Sequence, residues 1–346
     1  MSMSQKTCET DGLSSVASCD RANRQPVICI VGPTASGKTD FAQELAVALD
    51  GEVVSADSMQ IYRGMDIGTG KIPCSERKVP HWGFDLVDPG QEYSAALFQE
   101  YARNAFCDIA KRGKQAILCG GTGLYVRAAI DDYRFPAGAQ DDNPVRAKYT
   151  AFAQENGNQA LWDLLFSIDP ESAKEIHPNN VRRVVRAFEL REEGASYAQQ
   201  KNNLKKIPQA IPAIFFGITF DREKLNERIY RRVDMMVENG LVNEVEALLD
   251  KGFRDGITAP QAIGYKEIVQ AIDGKCTLNE AIEQIKIATR RYAKRQRSWY
   301  NQDKRIIWLD GTNATSSQLC NAALDYLAQR EELFYNNQLP LFAYLD

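Results

Sequence analysis

The chain has 346 residues, of which 44% are hydrophobic and 25% charged, so its composition is that of a globular protein with room for two domains. No apolar run approaches the roughly 20 residues that cross a bilayer, and two histidines are too few for a histidine-rich metal site. The net charge of −4 argues against indiscriminate nucleic-acid binding but leaves room for a local basic face.

Residues 1–25 contain few large apolar side chains and predict a disordered N-terminal tail. No signal-peptide hydrophobic segment follows Met1, and the eight cysteines form no C-x-x-C pair. These features indicate neither a zinc finger nor a disulfide framework, and the reduced cytoplasm is the expected compartment.

The first structural element is predicted at Val27–Val31, a short β-branched run typical of a buried strand. An octapeptide of the form G-x-x-x-x-G-K-[ST] follows it and leads into a helical pattern. Such a loop surrounds an anion with backbone N–H groups at the positive end of a helix dipole, so it predicts a polyphosphate or diphosphate site. Lys38 adds positive charge, and the Thr39 hydroxyl is the expected ligand of a phosphate-bound Mg²⁺. The predicted loop consists of Gly32, Pro33, Thr34, Ala35, Ser36, Gly37, Lys38 and Thr39.

Further apolar runs alternate with helical patterns, which is typical of a parallel α/β sheet. The first three predicted strands each end in a polar or glycine-rich turn. Ligands bind outside the carboxyl ends of strands in such sheets, so these turns predict one cleft. The additional strands are predicted at Glu52–Ala56, Gln115–Cys119, Ile214–Phe220 and Arg305–Leu309.

Asp57 follows the second strand, where a carboxylate could bind Mg²⁺, act as a general base or cap the next helix. The residues alone leave these three roles open. The turn-rich segment 64–71 ends in a lysine and is either a surface loop or a loop beside the phosphates. The turn Gly120–Gly123 enters a helix and offers free N–H groups to a ligand, but it is a short motif.

Between residues 131 and 206 the strand pattern stops and only helical patterns remain. We interpret residues 131–206 as an inserted all-helical domain, with residues 26–130 and 207–346 forming the α/β core. A lid or a second binding surface is the expected role of the insertion. Arg182 and Arg186 share one helix face there, which suits either a solvated surface or a ligand.

Two long helices are predicted after the insertion, at Lys224–Asp250 and Leu278–Tyr300. Cations alternate with aromatic residues in Arg290–Tyr300, which is what an RNA-binding surface requires, although core packing explains Trp299 equally well. In the first of these helices Arg228 and Arg232 could reach into the cleft or be ordinary helix charges.

Taken together, these blocks resemble the tRNA dimethylallyltransferases, or tRNA isopentenyltransferases, of the bacterial type without a C-terminal zinc finger. The motifs occur in the order of that family and span about Pro26–Leu309. They are Gly32–Thr39, Ser55–Thr69, Tyr93-Ser94, Gly120–Tyr125, Ile176–Asn179, Arg182–Ala187, Ala262–Glu267 and Ala293–Gln296.

The resemblance implies an α/β P-loop NTPase-like core with an inserted helical domain. It also implies transfer of a dimethylallyl group from dimethylallyl diphosphate to N6 of the adenine 3′ of the anticodon. Mg²⁺ is the implied cofactor, the tRNA anticodon stem-loop the implied partner, and a monomer the expected state. Asp57 would be the general base and Lys38 and Thr122 further catalytic residues, with Arg228 or Arg232 as an additional diphosphate ligand. The implied tRNA contacts are Asp57, Ser58, Met59, Gln60, Thr122, Arg146, Arg182, Arg183, Arg186, Gln261, Gly264, Tyr265, Lys266, Lys294, Arg295, Gln296, Arg297 and Trp299.

One departure concerns Asn301, which stands where that family usually has an arginine, so the resemblance implies no arginine contact to RNA at this position. Three other functions fit parts of the sequence: a P-loop small-molecule kinase, a prenyltransferase that acts on free adenosine phosphates, and a non-catalytic RNA-binding module. The cationic run Arg290–Tyr300 counts against the kinase, and the full insertion favours RNA over a free nucleotide. The position of Asp57 beside the phosphate loop counts against the binding module.

Overall fold

The structure is a computed structural model that describes residues 25–133, 135, 143–204 and 207–337. The predicted tail lies outside the described residues except for Gln25. The predicted end of the insertion, at residue 206, also lies outside them, whereas its predicted start at Asp131 is described.

Within the described residues, six parallel strands form one sheet in the order β3-β2-β4-β1-β5-β6. Because all pairings are parallel, every strand ends at the same edge, and the turns after β1, β2 and β4 are neighbours. The predicted parallel α/β core is therefore confirmed, with five strands within one residue of their predicted bounds. The sixth, β3, has two residues and was too short to predict. The strands are β1 (Val27–Val31), β2 (Gly51–Ser55), β3 (His81–Trp82), β4 (Gln115–Gly120), β5 (Ala213–Thr219) and β6 (Ile306–Asp310).

Helices cover both faces of the sheet, so consecutive strand residues enter different cores. Cys29 and Leu118 belong to the hydrophobic cluster on one face, and Ile30 and Ile117 to the cluster on the other. This double burial explains why β1 is a continuous apolar run rather than an alternating one. The core helices are α1 (Lys38–Ala48), α2 (Ala95–Lys111), α3 (Gly123–Ile130), α9 (Arg222–Glu238), α10 (Leu241–Leu249), α11 (Tyr265–Ile272), α12 (Leu278–Tyr300) and α13 (Ser316–Asn337).

The segment between α3 and β5 is helical and has a hydrophobic cluster of its own. Tyr149 and Phe188 stack there with ring centroids 3.8 Å apart, and the Trp162 indole N–H donates to the carbonyl oxygens of Ala173 and Ile176. A separate core of this kind is what an inserted helical domain requires. Its helices are α4 (Pro144–Asn156), α5 (Asn158–Ile168), α6 (Pro170–Lys174), α7 (Val181–Glu192) and α8 (Tyr197–Leu204).

One helix prediction was wrong, because Lys224–Asp250 is two helices rather than one. Gly240 adopts a left-handed φ of 98° between α9 and α10, which breaks the helix at a residue that tolerates this conformation. Helix α12, in contrast, has the predicted bounds and begins with a capping box between Thr277 and Glu280. None of the helices within the described residues is long and apolar enough to span a membrane.

Candidate active site

The predicted phosphate loop joins β1 to α1 at the carboxyl edge of the sheet. Ala35 and Gly37 have left-handed φ angles of 63° and 80°, which turn the chain sharply before the helix begins at Lys38. The Lys38 ammonium group folds back and donates to the Pro33 carbonyl oxygen at 2.6 Å. The buried Ser36 hydroxyl has no hydrogen-bond partner in the structure. The loop thus has donor groups that an anion could engage.

The electrostatic environment lowers the pKa of Lys38 from 10.5 to about 8. Burial is the largest cause, and the nearby Arg232 guanidinium lowers the pKa further. The Asp57 carboxylate and the Cys119 thiol oppose this shift. Lys38 therefore lies in a site where an added anion would be strongly favoured.

Two cavities adjoin at this edge of the sheet. One of about 510 Å³ lies over the phosphate loop and is bordered by Lys38, Thr39 and Arg228. The other, of about 440 Å³, is bordered by Asp57 and by residues of α12. Arg232 borders both cavities. The arrangement suits an anionic group in the first cavity that reacts with a group held in the second.

Arg228 and Arg232 lie one turn apart on α9, and both border the cavity over the phosphate loop. The Arg228 Nε donates to the Ala35 carbonyl oxygen at 2.8 Å, so this side chain supports the loop from outside. Arg232 donates to the Thr69 carbonyl oxygen at 3.3 Å, and burial lowers its pKa. Arg232 is the more enclosed of the two and borders both cavities, whereas Arg228 borders only the cavity over the phosphate loop.

Hydrogen bonds connect the Asp57 loop to the turn after β4. The Asp57 Oδ1 accepts from the Met59 N–H at 2.9 Å. The Thr122 Oγ1 accepts from the Ser58 N–H at 3.0 Å and lies 3.3 Å from the Ser58 hydroxyl. Asp57, Ser58 and Met59 border the 440 Å³ cavity. Gln60 faces inward instead, where its amide accepts from the Ser55 hydroxyl and donates to the Thr69 and Gly70 carbonyl oxygens.

The segment 64–71 is held by protein groups rather than left free for a phosphate. The Glu244 carboxylate accepts from three successive backbone N–H groups, of residues 66–68, at 2.8–3.2 Å. The Lys71 ammonium group pairs with Asp66 at 2.5 Å and with Asp85 at 2.7 Å. Gly70 and Lys71 nevertheless border the cavity over the phosphate loop. The segment is therefore a wall of the site, and Lys71 has a structural role.

The predicted residues at the start of α11 border the 440 Å³ cavity, namely Gln261, Gly264, Tyr265 and Lys266. Tyr265 is fully buried, and its hydroxyl donates to Glu244 at 2.6 Å. Because Glu244 also binds residues 66–68, this hydrogen bond connects α11 to the segment 64–71. Tyr265 therefore supports the wall of the cavity, and its hydroxyl proton is donated to Glu244.

The predicted basic helix α12 has two different faces. Its cations Arg291, Lys294, Arg295 and Arg297 are exposed, and Arg291 and Arg295 also border the 440 Å³ cavity. On the inner side Tyr292 borders the 440 Å³ cavity, and burial and the Asp57 charge raise its pKa. The Trp299 side chain lies against Gly123 and is 42% exposed, so it packs at the surface rather than in the core. Tyr292 was not among the predicted site residues. Its position four residues before Gln296, a predicted site residue, places both on one helix face and could have indicated it.

Two of the four predicted RNA-contacting arginines of the insertion are ion-paired within it. Arg146 contacts the buried Glu189 at 2.6 Å, and Arg186 contacts the same carboxylate at 2.9 Å. Burial would raise the pKa of Glu189, but hydrogen bonds from the two guanidinium groups hold it below its usual value. Arg182 and Arg183 are exposed on α7.

Within the described residues no group of three or more His, Cys, Asp or Glu side chains is placed to hold a metal ion. Magnesium sites at phosphates commonly use one or two protein ligands and take the remaining ligands from the substrate and water. The Thr39 hydroxyl borders the cavity over the phosphate loop beside Lys38, so the residues present fit a phosphate-bound Mg²⁺.

Comparison with known proteins gives one consistent family. A model of the family described as IPP transferase matches residues 60–303, and one described as isopentenyl transferase matches residues 25–79. The tRNA dimethylallyltransferase of Carboxydothermus hydrogenoformans is 47% identical over 83% of this chain and 92% of its own length. The enzyme of the same name from Bacillus pumilus is 44% identical over 84% of this chain and 92% of its own length.

Solved structures agree with this result. The full-length tRNA isopentenylpyrophosphate transferase of Bacillus halodurans is 41% identical, with a TM-score of 0.65 over 90% of this chain and 100% of that one. A eukaryotic dimethylallyltransferase, crystallised in snapshots acting on tRNA, is 29% identical, with a TM-score of 0.71 over 93% of this chain and 82% of that one. The chain belongs to the family of tRNA dimethylallyltransferases.

Proposed function

We propose that the protein transfers a dimethylallyl group from dimethylallyl diphosphate to N6 of the adenine that lies 3′ of the anticodon in tRNA. The observation that carries this proposal is the pair of adjoining cavities, one at Lys38 and the other at Asp57, with Arg232 bordering both. Membership of the tRNA dimethylallyltransferase family supports the same assignment.

The proposed reaction needs a leaving-group site and a proton acceptor. The adenine N6 attacks C1 of the dimethylallyl group, the C1–O bond breaks, and the diphosphate departs with the bonding electrons. Lys38 and Arg232 would stabilise the negative charge that develops on the diphosphate. The N6 proton would pass to Asp57, whose Oδ1 accepts from the Met59 N–H and whose Oδ2 would accept the proton. Thr122, whose hydroxyl oxygen accepts from the Ser58 N–H of the Asp57 loop, would hold the acceptor base.

We propose Mg²⁺ as the cofactor, with Thr39 as the residue that would hold it and diphosphate oxygens and water as its other ligands. When bound, the ion neutralises charge on the leaving group. Thr39 lies at the start of α1, where the helix dipole also favours an anion.

The proposed RNA surface consists of the exposed side of α12 and the insertion, residues 131–206. Arg182 and Arg183 are the stronger candidates within the insertion because Arg146 and Arg186 already pair with Glu189. A base in a stem-loop must leave its stack to reach Asp57, which costs a few kcal/mol, and contacts to the surrounding RNA would offset that cost. We expect the protein to act as a monomer.

The purified protein, labelled dimethylallyl diphosphate, MgCl₂ and an unmodified anticodon stem-loop form the direct test. A parallel reaction replaces the RNA with AMP, and a third uses a stem-loop with guanine in place of the acceptor adenine. Label in the adenine stem-loop alone is the expected result. Label in AMP would instead assign a free-nucleotide prenyltransferase. If no label is transferred, the proposal fails, and the kinase and binding-module alternatives become the next to test.

A further inference from the structure

Gln296 lies inside the protein although it belongs to the cation-rich part of α12. The residue is 5% exposed. Its Oε1 accepts from the Thr34 N–H at 2.8 Å, and its Nε2 donates to the Gly121 carbonyl oxygen at 2.9 Å. Thr34 belongs to the phosphate loop, and Gly121 precedes Thr122. One side chain therefore joins the two parts of the proposed site.

The chemistry of this position suits a primary amide at neutral pH. Thr34 presents a donor and Gly121 an acceptor, and only asparagine and glutamine side chains supply an acceptor and two donors on one planar group. The approach to Gly121 is equally restricted, because a Cβ atom there would lie 2.2 Å from the Gln296 Nε2. The glycine thus leaves room for this contact.

Neighbouring side chains on the same face of α12 fasten the helix to the same turn. The Tyr300 hydroxyl lies 3.4 Å from the Gly120 carbonyl oxygen, and Trp299 lies against Gly123. Thr122 therefore sits in a turn that α12 holds on both sides. Arg291 and Arg295 are exposed and border the 440 Å³ cavity, whereas Lys294 and Arg297 are exposed and do not border it, and RNA is proposed to bind on this exposed surface.

We propose that Gln296 is a positioning residue for the transfer reaction rather than an RNA contact. It fixes the phosphate loop relative to the Thr122 turn, and through the Thr122–Ser58 hydrogen bond it fixes the loop of Asp57. The inference rests on the proposed function, because it assigns one reactant to each of the two parts that Gln296 joins. A small misplacement of reacting groups can lower a rate by about a hundredfold.

Two variants separate positioning from RNA binding. Gln296→Met keeps the size but removes the hydrogen bonds to Thr34 and Gly121. We expect its kcat to fall about 10–100-fold and its KM for dimethylallyl diphosphate to rise, while its stem-loop Kd changes less than about threefold. Arg297→Gln, on the exposed side of the same helix, is the matched control, and we expect it to weaken stem-loop binding.

Gln296→Glu tests the proposal through the pH dependence of kcat, which a purely structural role would leave unchanged. At neutral pH its carboxylate faces the Gly121 carbonyl oxygen without a proton to donate. Once protonated, the acid can donate to Gly121 and accept from Thr34, as the glutamine does. Burial and the opposing carbonyl oxygen favour the protonated form. The kcat of this variant relative to the unmodified protein should therefore rise as the pH falls from about 8 to about 6, while the ratio for Gln296→Met stays flat.

The outcomes are distinguishable. A pH-dependent ratio for Gln296→Glu together with an unchanged stem-loop Kd supports the proposal. A kcat ratio that does not change with pH, or a loss confined to stem-loop affinity, overturns the proposal. The second result would assign Gln296 to RNA binding. Melting temperatures check folding, and if the Met variant does not fold, the Glu titration decides alone. If the unmodified protein transfers no label at all, the proposed function fails, and the Kd for dimethylallyl diphosphate still tests whether Gln296 orders the phosphate loop.

Discussion

Affinity for a diphosphate ligand should fall as the pH rises through the pKa of Lys38. Burial lowers that pKa from 10.5 to about 8, with Arg232 adding to the shift. The protonated fraction of Lys38 in the free protein then falls from about 0.9 at pH 7 to about 0.1 at pH 9. If only the protonated form binds well, the Kd should rise about tenfold over this interval. Binding an anion favours the charged lysine, so the complex should take up about half a proton at pH 8.

Isothermal titration calorimetry with dimethylallyl diphosphate, without RNA, measures both quantities. The last pKa of the terminal phosphate is about 6, as in phosphate monoesters. The charge of the ligand is therefore nearly constant above about pH 7. Titrations in buffers of different ionisation enthalpy give the proton uptake. Lys38→Met is the control and should bind weakly at every pH. A constant Kd from pH 7 to 9 in the unmodified protein, or release of protons on binding, would refute the reasoning.

Three other substitutions test separate parts of the site. Asp57→Asn should lower the single-turnover transfer rate about 10²–10⁴-fold while the stem-loop Kd from fluorescence anisotropy changes little; an equal loss of both would assign Asp57 to binding. Arg295→Ala should weaken stem-loop binding and reduce the slope of log Kd against log salt by about one, and an unchanged slope would remove this residue from the RNA surface. Glu189→Gln should destabilise the insertion by about 1–3 kcal/mol in urea unfolding because Arg146 and Arg186 lose their buried partner, and unaltered stability would contradict that role.

The sheet and the site edge were predictable because they depend on local patterns. Strands buried on both faces are apolar runs, and the glycines and Asp57 follow those runs at the edge where parallel strands end. Strand β3 was not predictable because two residues carry no pattern. The break at Gly240 had a signal in the glycine itself, but helical patterns on both sides concealed it.

The pairing of polar side chains over long sequence distances was not predictable. Nothing in the pattern shows that Glu189 binds Arg146, or that Glu244 accepts the amides of residues 66–68. Gln296 gave a partial signal, because it lies on the helix face shared with the buried Ala293 and Tyr300. Its partners, 262 and 175 residues away, come from tertiary folding.

A crystal structure of the protein with dimethylallyl thiodiphosphate and an anticodon stem-loop tests the central claim most directly. We predict diphosphate oxygens against the backbone N–H groups of the phosphate loop and the Lys38 ammonium group. We also predict the everted adenine N6 within hydrogen-bonding distance of the Asp57 carboxylate. An adenine bound outside the 440 Å³ cavity, or a diphosphate bound away from Lys38, would contradict the account.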